Sequence, residues 1–336
     1  MENRIKIDVS LGSILKVALV VLGLWFFFVV RDVLLLFFIV LIIVAALGPL
    51  VDKMSKFMPR FLSVLILAII FLGILTAVGF LFIPPLVSQI SQLAVNIPVI
   101  VNKLGPVYHS LQAIIPSSQS NILNLSSQLE GITSGIYTTT VGFFTGLVAL
   151  LTIIVMSFYM LLEQNSIKSF VYEIVPYRYR EVAVDLLKKI SDKMGSWLRG
   201  HVLLMLVVGL LDFIALSSVG VPYALTLGLW GGLTEVIPYI GPWLGLLPAV
   251  IIAFTISPIK ALIIIIVYFL IQQLESSFFA PKILGKAVGL SPVIIILALL
   301  IGGKLMGILG VIIAVPVAAA LSVLFQEWPE LKKIKS

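Results

Sequence analysis

This chain predicts an all-α fold, a polytopic transmembrane helix bundle, and three observations predict it. It is 61% apolar and only 11% charged, where a soluble domain carries about 25% charged residues; its mean hydropathy is +1.22. Several apolar runs reach the roughly 20 residues that cross a hydrocarbon core. Lys and Arg gather in alternate loops, the pattern that sets topology. The expected bundle has about eight spans, a re-entrant or broken helical hairpin near 225–256, and an amphipathic helical segment on the extracytoplasmic side.

Composition excludes several classes. No cysteine is present, so disulfides, thiolate metal centres and iron–sulfur clusters are ruled out. There is no phosphate-binding G-x-x-x-x-G-K-[ST] and no H-E-x-x-H. The two histidines, His109 and His201, lie far apart in sequence. No enzyme activity, metal or cofactor is expected. The net charge of +7 is accounted for by loop asymmetry and does not point to nucleic acid.

The elements follow in order. Residues 1–86 hold the first spans, at about 13–30, 33–50 and 61–86; with no small-residue cleavage site, Leu11–Val30 reads as a retained helix. Residues 87–137 carry one positive charge, Lys103, and an apolar stripe at Leu86, Ile90, Leu93, Ile97, Ile100, Leu104, Val107, Leu111 and Ile114. Steps of four and three are heptad spacing, interrupted by Pro98 and Pro106. This segment reads as a surface hairpin, a subunit contact or a lid. A span at 138–163 follows. Residues 164–200 are rich in Lys and Arg, with Val182, Leu186, Ile190, Met194 and Trp197 on one face, the pattern of an interfacial helix. Residues 201–325 form a core with spans near 201–219, 225–236 with 240–256, 260–280, 290–303 and 306–325. A basic tail, 326–336, ends the chain. The alternation puts both termini in the cytoplasm.

The most informative stretch is Leu229 to Gly245, LWGGLTEVIPYIGPWLG. An acid, two prolines and four glycines sit between apolar limbs. Irregular backbone at membrane depth is tolerated only where protein buries it or it lines a water-filled cavity. The limb before the break is about 12 residues, too short to cross, which favours a re-entrant hairpin. A broken helix beside an acid suggests a solute path, with Glu235, Pro238, Gly241, Pro242 and Gly245 along it.

Three acids fall at membrane depth: Asp212, Glu235 and Glu275. Each costs about 2.5–3.5 kcal/mol at a helix centre, so all three should face inward. They read either as structural contacts between helices or as a proton, cation or substrate site. Gln272 and Gln273 lie within a turn of Glu275. Arg199 and Lys282, near cytoplasmic ends, read as anchors or as attractors for an anionic solute. Glycine pairs four apart (142/146, 228/232, 241/245, 303/307) let helices approach closely and, with the heptad stripe, are compatible with a homo-oligomer. A weak echo links 225–256 to 290–325, each an apolar limb, a Gly-Gly, a charge and a second limb.

The C-terminal half resembles the autoinducer-2 exporter family of bacterial permeases. The matching stretches are Trp197-Leu-Arg-Gly-His201, Gly220-Val-Pro-Tyr-Ala224, Glu235-Val-Ile-Pro-Tyr-Ile-Gly-Pro242, Gln272-Gln-Leu-Glu275, Pro281-Lys-Ile-Leu-Gly-Lys286, Gly289-Leu-Ser-Pro292, Gly302-Gly303 and Ala314-Val-Pro316. His201 stands where the family commonly has Gln, and Ser291 where it commonly has His. The resemblance implies a multi-pass permease of the bacterial inner membrane. Members are associated with export of autoinducer-2, a small polar furanone-type signal, and some with sodium or lithium–proton antiport. The expected partners are therefore the lipid bilayer and either a small polar solute or a monovalent cation and a proton. A non-transporting scaffold or sensor is the rival from another class.

Overall fold

The computed structural model describes residues 11–80, 140–163, 166–284 and 289–333. The segment 87–137, with its heptad stripe, lies outside the described residues. Among those described there is no strand, and five helices are long and apolar enough to cross a membrane, with three shorter apolar ones beside them.

The first helix departs from expectation. The predicted spans 13–30 and 33–50 are one helix, α1 (Leu11–Met54), of 44 residues. Val30-Arg-Asp-Val33 contains neither Gly nor Pro, so nothing there turns the chain back. At 1.5 Å per residue α1 is roughly 66 Å long. Its second half packs inward through Leu35, Val40, Ile42, Ala46 and Val51, while Leu19, Trp25, Phe26 and Phe28 in the first half are exposed. α2 (Arg60–Phe80) and α3 (Thr140–Leu162) close on its end around Val51, Val64 and Leu161. Arg60 pins this corner: Nε donates to the Leu161 carbonyl at 2.8 Å, and the guanidinium pairs with Asp52 at 2.7 Å.

A short helix, α4 (Ser166–Ile174), leads into the spine of the molecule, α5 (Arg180–Val219), of 40 residues. The amphipathic stretch at 176–198 is therefore largely the first half of α5, not a separate interfacial helix. Its apolar face finds protein: Met194 packs with Leu35, Ile42 and Ile313, and Ile190 joins them. Gly220 ends α5 in the left-handed conformation, φ 69°, and the Val221 N–H closes back on the Leu216 carbonyl at 2.9 Å, a glycine-dependent helix stop.

Two hairpins lie along α5. In the first, α6 (Ala224–Thr234) descends antiparallel to α5 and α7 (Gly241–Ile256) returns. α6 has 11 residues, about 16 Å, half the depth of a bilayer core. The pair is thus a hairpin whose open end lies at the C-terminal end of α5. Ser257 caps the next helix, α8 (Pro258–Leu274), accepting from the Ile259 N–H. A π-turn, Glu275–Phe279, and a single α-turn, Ala280–Ile283, follow.

The second hairpin is α9 (Pro292–Lys333), whose helix is broken at Gly307 (φ 61°, ψ −141°). Gly302 and Gly310 are in backbone contact. In a straight helix eight residues separate by about 12 Å, so the chain reverses here. The break falls at Gly307 and not at Gly302-Gly303. Glu327 pairs with Lys189 at 2.9 Å, Lys193 donates to Ser322 at 2.9 Å, and Val315 and Ala319 pack on Trp197. This hairpin opens toward the N-terminal end of α5, opposite to the first.

Candidate functional site

The site begins with close backbone packing. α6 seats on α5 because glycines face glycines: a Cβ on Gly228 would meet Phe213 N at 2.7 Å and Gly209 O at 2.8 Å, and one on Gly232 would meet Met205 O at 2.6 Å. α7 closes on α6 the same way: a Cβ on Gly245 would meet the Gly231 Cα at 2.9 Å, and one on Gly241 would strike the backbone of Thr234 and Glu235. Small residues let backbones meet where hydrocarbon offers no hydrophobic drive. Pro248 inside α7 removes the N–H that would bind the Leu244 carbonyl, and Trp230 Nε1 donates to that carbonyl at 2.8 Å.

The break itself is compact. Val236 N–H bonds Leu233 O at 3.2 Å, Ile237 N–H bonds Thr234 O at 3.1 Å, and Gly241 N–H bonds Ile237 O at 2.8 Å. Between them Tyr239 takes a positive φ of 67°, uncommon for a side chain of that size. Pro238 and Pro242 are half-buried on either side of it.

Here the three acids converge. Asp212 and Glu235 are each 2% exposed and Glu275 is 7% exposed. The Glu235 carboxyl lies near enough to that of Glu275 for the two to influence one another, and Asp212 acts on Glu235 and is acted on by Glu275. Among the described residues no Lys or Arg forms an ion pair with any of them. Gln272 Nε2 donates to Glu275 Oε2 at 3.0 Å. Asp212 Oδ1, Glu235 Oε2 and the Tyr268 hydroxyl are buried with no hydrogen-bond partner among the described residues, and the charge of Asp212 reaches Tyr268. Three separate elements bring these groups together: α5, the end of α6, and α8 with its π-turn. The wide turn starts at Glu275, and such turns recur at functional sites. Asp212 has room because Gly231 has no Cβ: one added there would strike Asp212 Oδ2.

The remaining predicted residues lie elsewhere. Gln273 donates to Ser277 on the exposed side of α8. Lys282 sits over the Phe278 ring, 5.0 Å from its centroid. Arg199 donates to the Ala45 and Ala46 carbonyls of α1 at 3.2 and 3.0 Å and to Ser196. Pro49 explains the first of these, because its missing N–H frees the Ala45 carbonyl. Arg199→Met should therefore loosen α1 from α5. A charged hydrogen bond of this kind contributes about 2 kcal/mol, and a lowered unfolding midpoint in detergent would register its loss.

Sequence reasoning missed Tyr268, His201 and Trp197 as members of this region. Tyr268 precedes Glu275 by seven residues, two turns along one face, a spacing that could have revealed it. His201 Nε2 donates to the Glu235 carbonyl at 2.9 Å, and Trp197 stacks on the His201 ring at 4.8 Å. The site reading of the resemblance gave no role to either.

Comparison with known proteins gives the same frame. The family described as "AI-2E family transporter" matches residues 14–330. Among curated proteins the chain is 32% identical over 304 residues to "Putative transport protein YueF" of Bacillus subtilis (strain 168), covering 85% of this chain and 82% of that one. It is 32% identical over 285 residues to "Putative transport protein YrrI" of the same organism, covering 80% and 79%. It is 28% identical over 277 residues to "Putative permease PerM" of Escherichia coli (strain K12), covering 79% and 78%.

Proposed function

The chain belongs to the AI-2E transporter family, a membrane transport family, and from that premise we propose that it exports a small polar solute through a path lined by the first hairpin. The observation that carries this reading is the meeting of Asp212, Glu235, Glu275 and Tyr268, buried at a broken helix. Buried polar groups without partners are retained at a cost of about 1–3 kcal/mol each, which a bound solute can offset by supplying donors and acceptors. Gln272 orients Glu275 for that contact. An autoinducer-2-like compound, small and rich in hydroxyls, is the solute class the resemblance suggests. The region 201–325 is the transport core. Lys and Arg gathered at 53–60, 164–200 and 332–335 support a multi-pass setting with the C-terminal end of the chain in the cytoplasm; because α1 is one helix and not two spans, the same count no longer places the N-terminal end on that side.

A second reading, monovalent cation–proton antiport, is favoured by one particular contact. The carboxyls of Glu235 and Glu275 are buried neighbours that act on one another. Two neighbouring buried carboxyls cannot both stay ionised unless a cation lies between them; otherwise one of them holds a proton. Purified protein in proteoliposomes separates the readings. Under the first, a labelled polyhydroxylated solute leaves the vesicles faster than from protein-free vesicles, and an imposed sodium gradient moves no protons. Proton movement driven by sodium, with no solute flux, would replace it with the second. Neither movement would overturn both.

A further inference from the structure

The turn Trp197-Leu-Arg-Gly-His201 of α5 touches a different element with nearly every residue. Trp197, 3% exposed, packs among Leu299, Ala314, Val315 and Ala319 of the second hairpin. Arg199 holds α1. Gly200 lies against Ile283 and Leu284 beyond the π-turn, where a Cβ would approach Leu284 Cδ2 to 3.1 Å. His201, 2% exposed, reaches the break in the first hairpin. The two hairpins open in opposite directions, and both reach this one turn, the first with its break and the second with its two limbs. The first descends along α5 from the Gly228–Gly209 contact to the Glu235 carbonyl at His201. The second ascends from Glu327 at Lys189 to Val315 at Trp197.

His201 meets a particular need. α6 ends at the break, and among the described residues the Glu235 carbonyl has no backbone donor. A free carbonyl at the end of a buried helix must find a partner, and His201 Nε2 is that partner. The same ring faces the Val236 backbone. The hydrogen bond fixes the backbone of the very residue whose carboxyl meets Glu275. Trp197 fixes the ring by stacking on it, with the planes 16° apart, and is itself fixed by the second hairpin.

We propose that Trp197 and His201 are positioning residues that couple the two hairpins, so that the second hairpin sets, through the stacked pair, where Glu235 points. This rests on the site reading above but is tested without transport. The chain has no cysteine, so a single introduced thiol reports alone. In Ile237→Cys, beside the break, the rate of labelling by a small maleimide measures how firmly the break is held. In His201→Leu that rate is expected to rise about tenfold, the factor that ~1.4 kcal/mol corresponds to. His201→Gln, which retains a donor, is expected to keep it within about twofold of the parent, a difference of ~0.4 kcal/mol. Val315→Ala, which loosens the packing around Trp197, is expected to raise it in the parent and to add nothing in His201→Leu.

A second reporter, Leu151→Cys on α3, should label alike in every background, showing that the bundle is intact. Where His201→Leu does not fold, His201→Asn, whose donor is shorter, takes its place with the same expected rise. Unchanged labelling of residue 237 in His201→Leu would overturn the positioning role. Equal gains from Val315→Ala with and without His201 would overturn the coupling. Because labelling needs no solute, these results stand apart from any flux measurement.

Discussion

Gly232→Val is expected to prevent α6 from seating on α5 and to lower the unfolding midpoint of the purified protein sharply. The atoms a side chain would meet are backbone: Met205 O at 2.6 Å and Gly209 Cα at 3.0 Å. Neither can rotate away, so the helices must separate. Overpacking of this kind costs about 3 kcal/mol, and here it also displaces Gly231, Asp212 and the break below them. Gly232→Ala should show a smaller loss in the same direction. Gly73→Ala in α2, where nothing lies within 4 Å, should leave the midpoint unchanged or raise it slightly, because alanine is the better helix former. Equal midpoints for Gly232→Val and the parent protein would mean that α6 does not rest on α5 in this way.

Glu235→Gln is the second large effect expected, and it falls on flux, not on folding. The side chain keeps its shape and gains a donor, so the contact with Glu275 survives while the charge is lost. Solute or proton flux in proteoliposomes should drop about tenfold or more, the equivalent of ~1.4 kcal/mol, with the unfolding midpoint held or raised. Glu275→Gln should behave alike, because Gln272 still has an oxygen to donate to. The double variant should fall little below either single one, since the two carboxyls act as one unit. Full flux in all three would remove the acids from the path and leave them as helix-to-helix contacts.

Much of this architecture could be read from residue order. The apolar runs, the Gly- and Pro-rich break at 231–245 and the inward acids all lie where elementary cost arguments put them. Two things could not be read. Hydropathy cannot tell one helix of 44 residues from two spans, because a turn is signalled by Gly or Pro and their absence at Arg31-Asp32 was outweighed by length. The amphipathic first half of α5 looks the same whether its apolar face meets lipid or, as here, α1 and α9. Within the site, the acids and Gln272 carried a visible signal: polarity in an apolar run. Tyr268 carried only its seven-residue spacing from Glu275, and Trp197 and His201 carried no such signal, since an aromatic residue at helical spacing reads as ordinary core until its polar atom is seen to find a partner.

The π-turn at Glu275–Phe279 has one more consequence. Such a turn holds one residue more than the α-helical repeat, so the chain carries a spare residue at the point where a carboxylate enters the membrane interior. Passing that spare residue along by one place exchanges hydrogen bonds one at a time and swings the side chains it crosses by ~100°. Glu275 sits at the edge of this register slip. A slip of this kind would change the direction of its side chain without any loop opening and without α8 shifting along its axis.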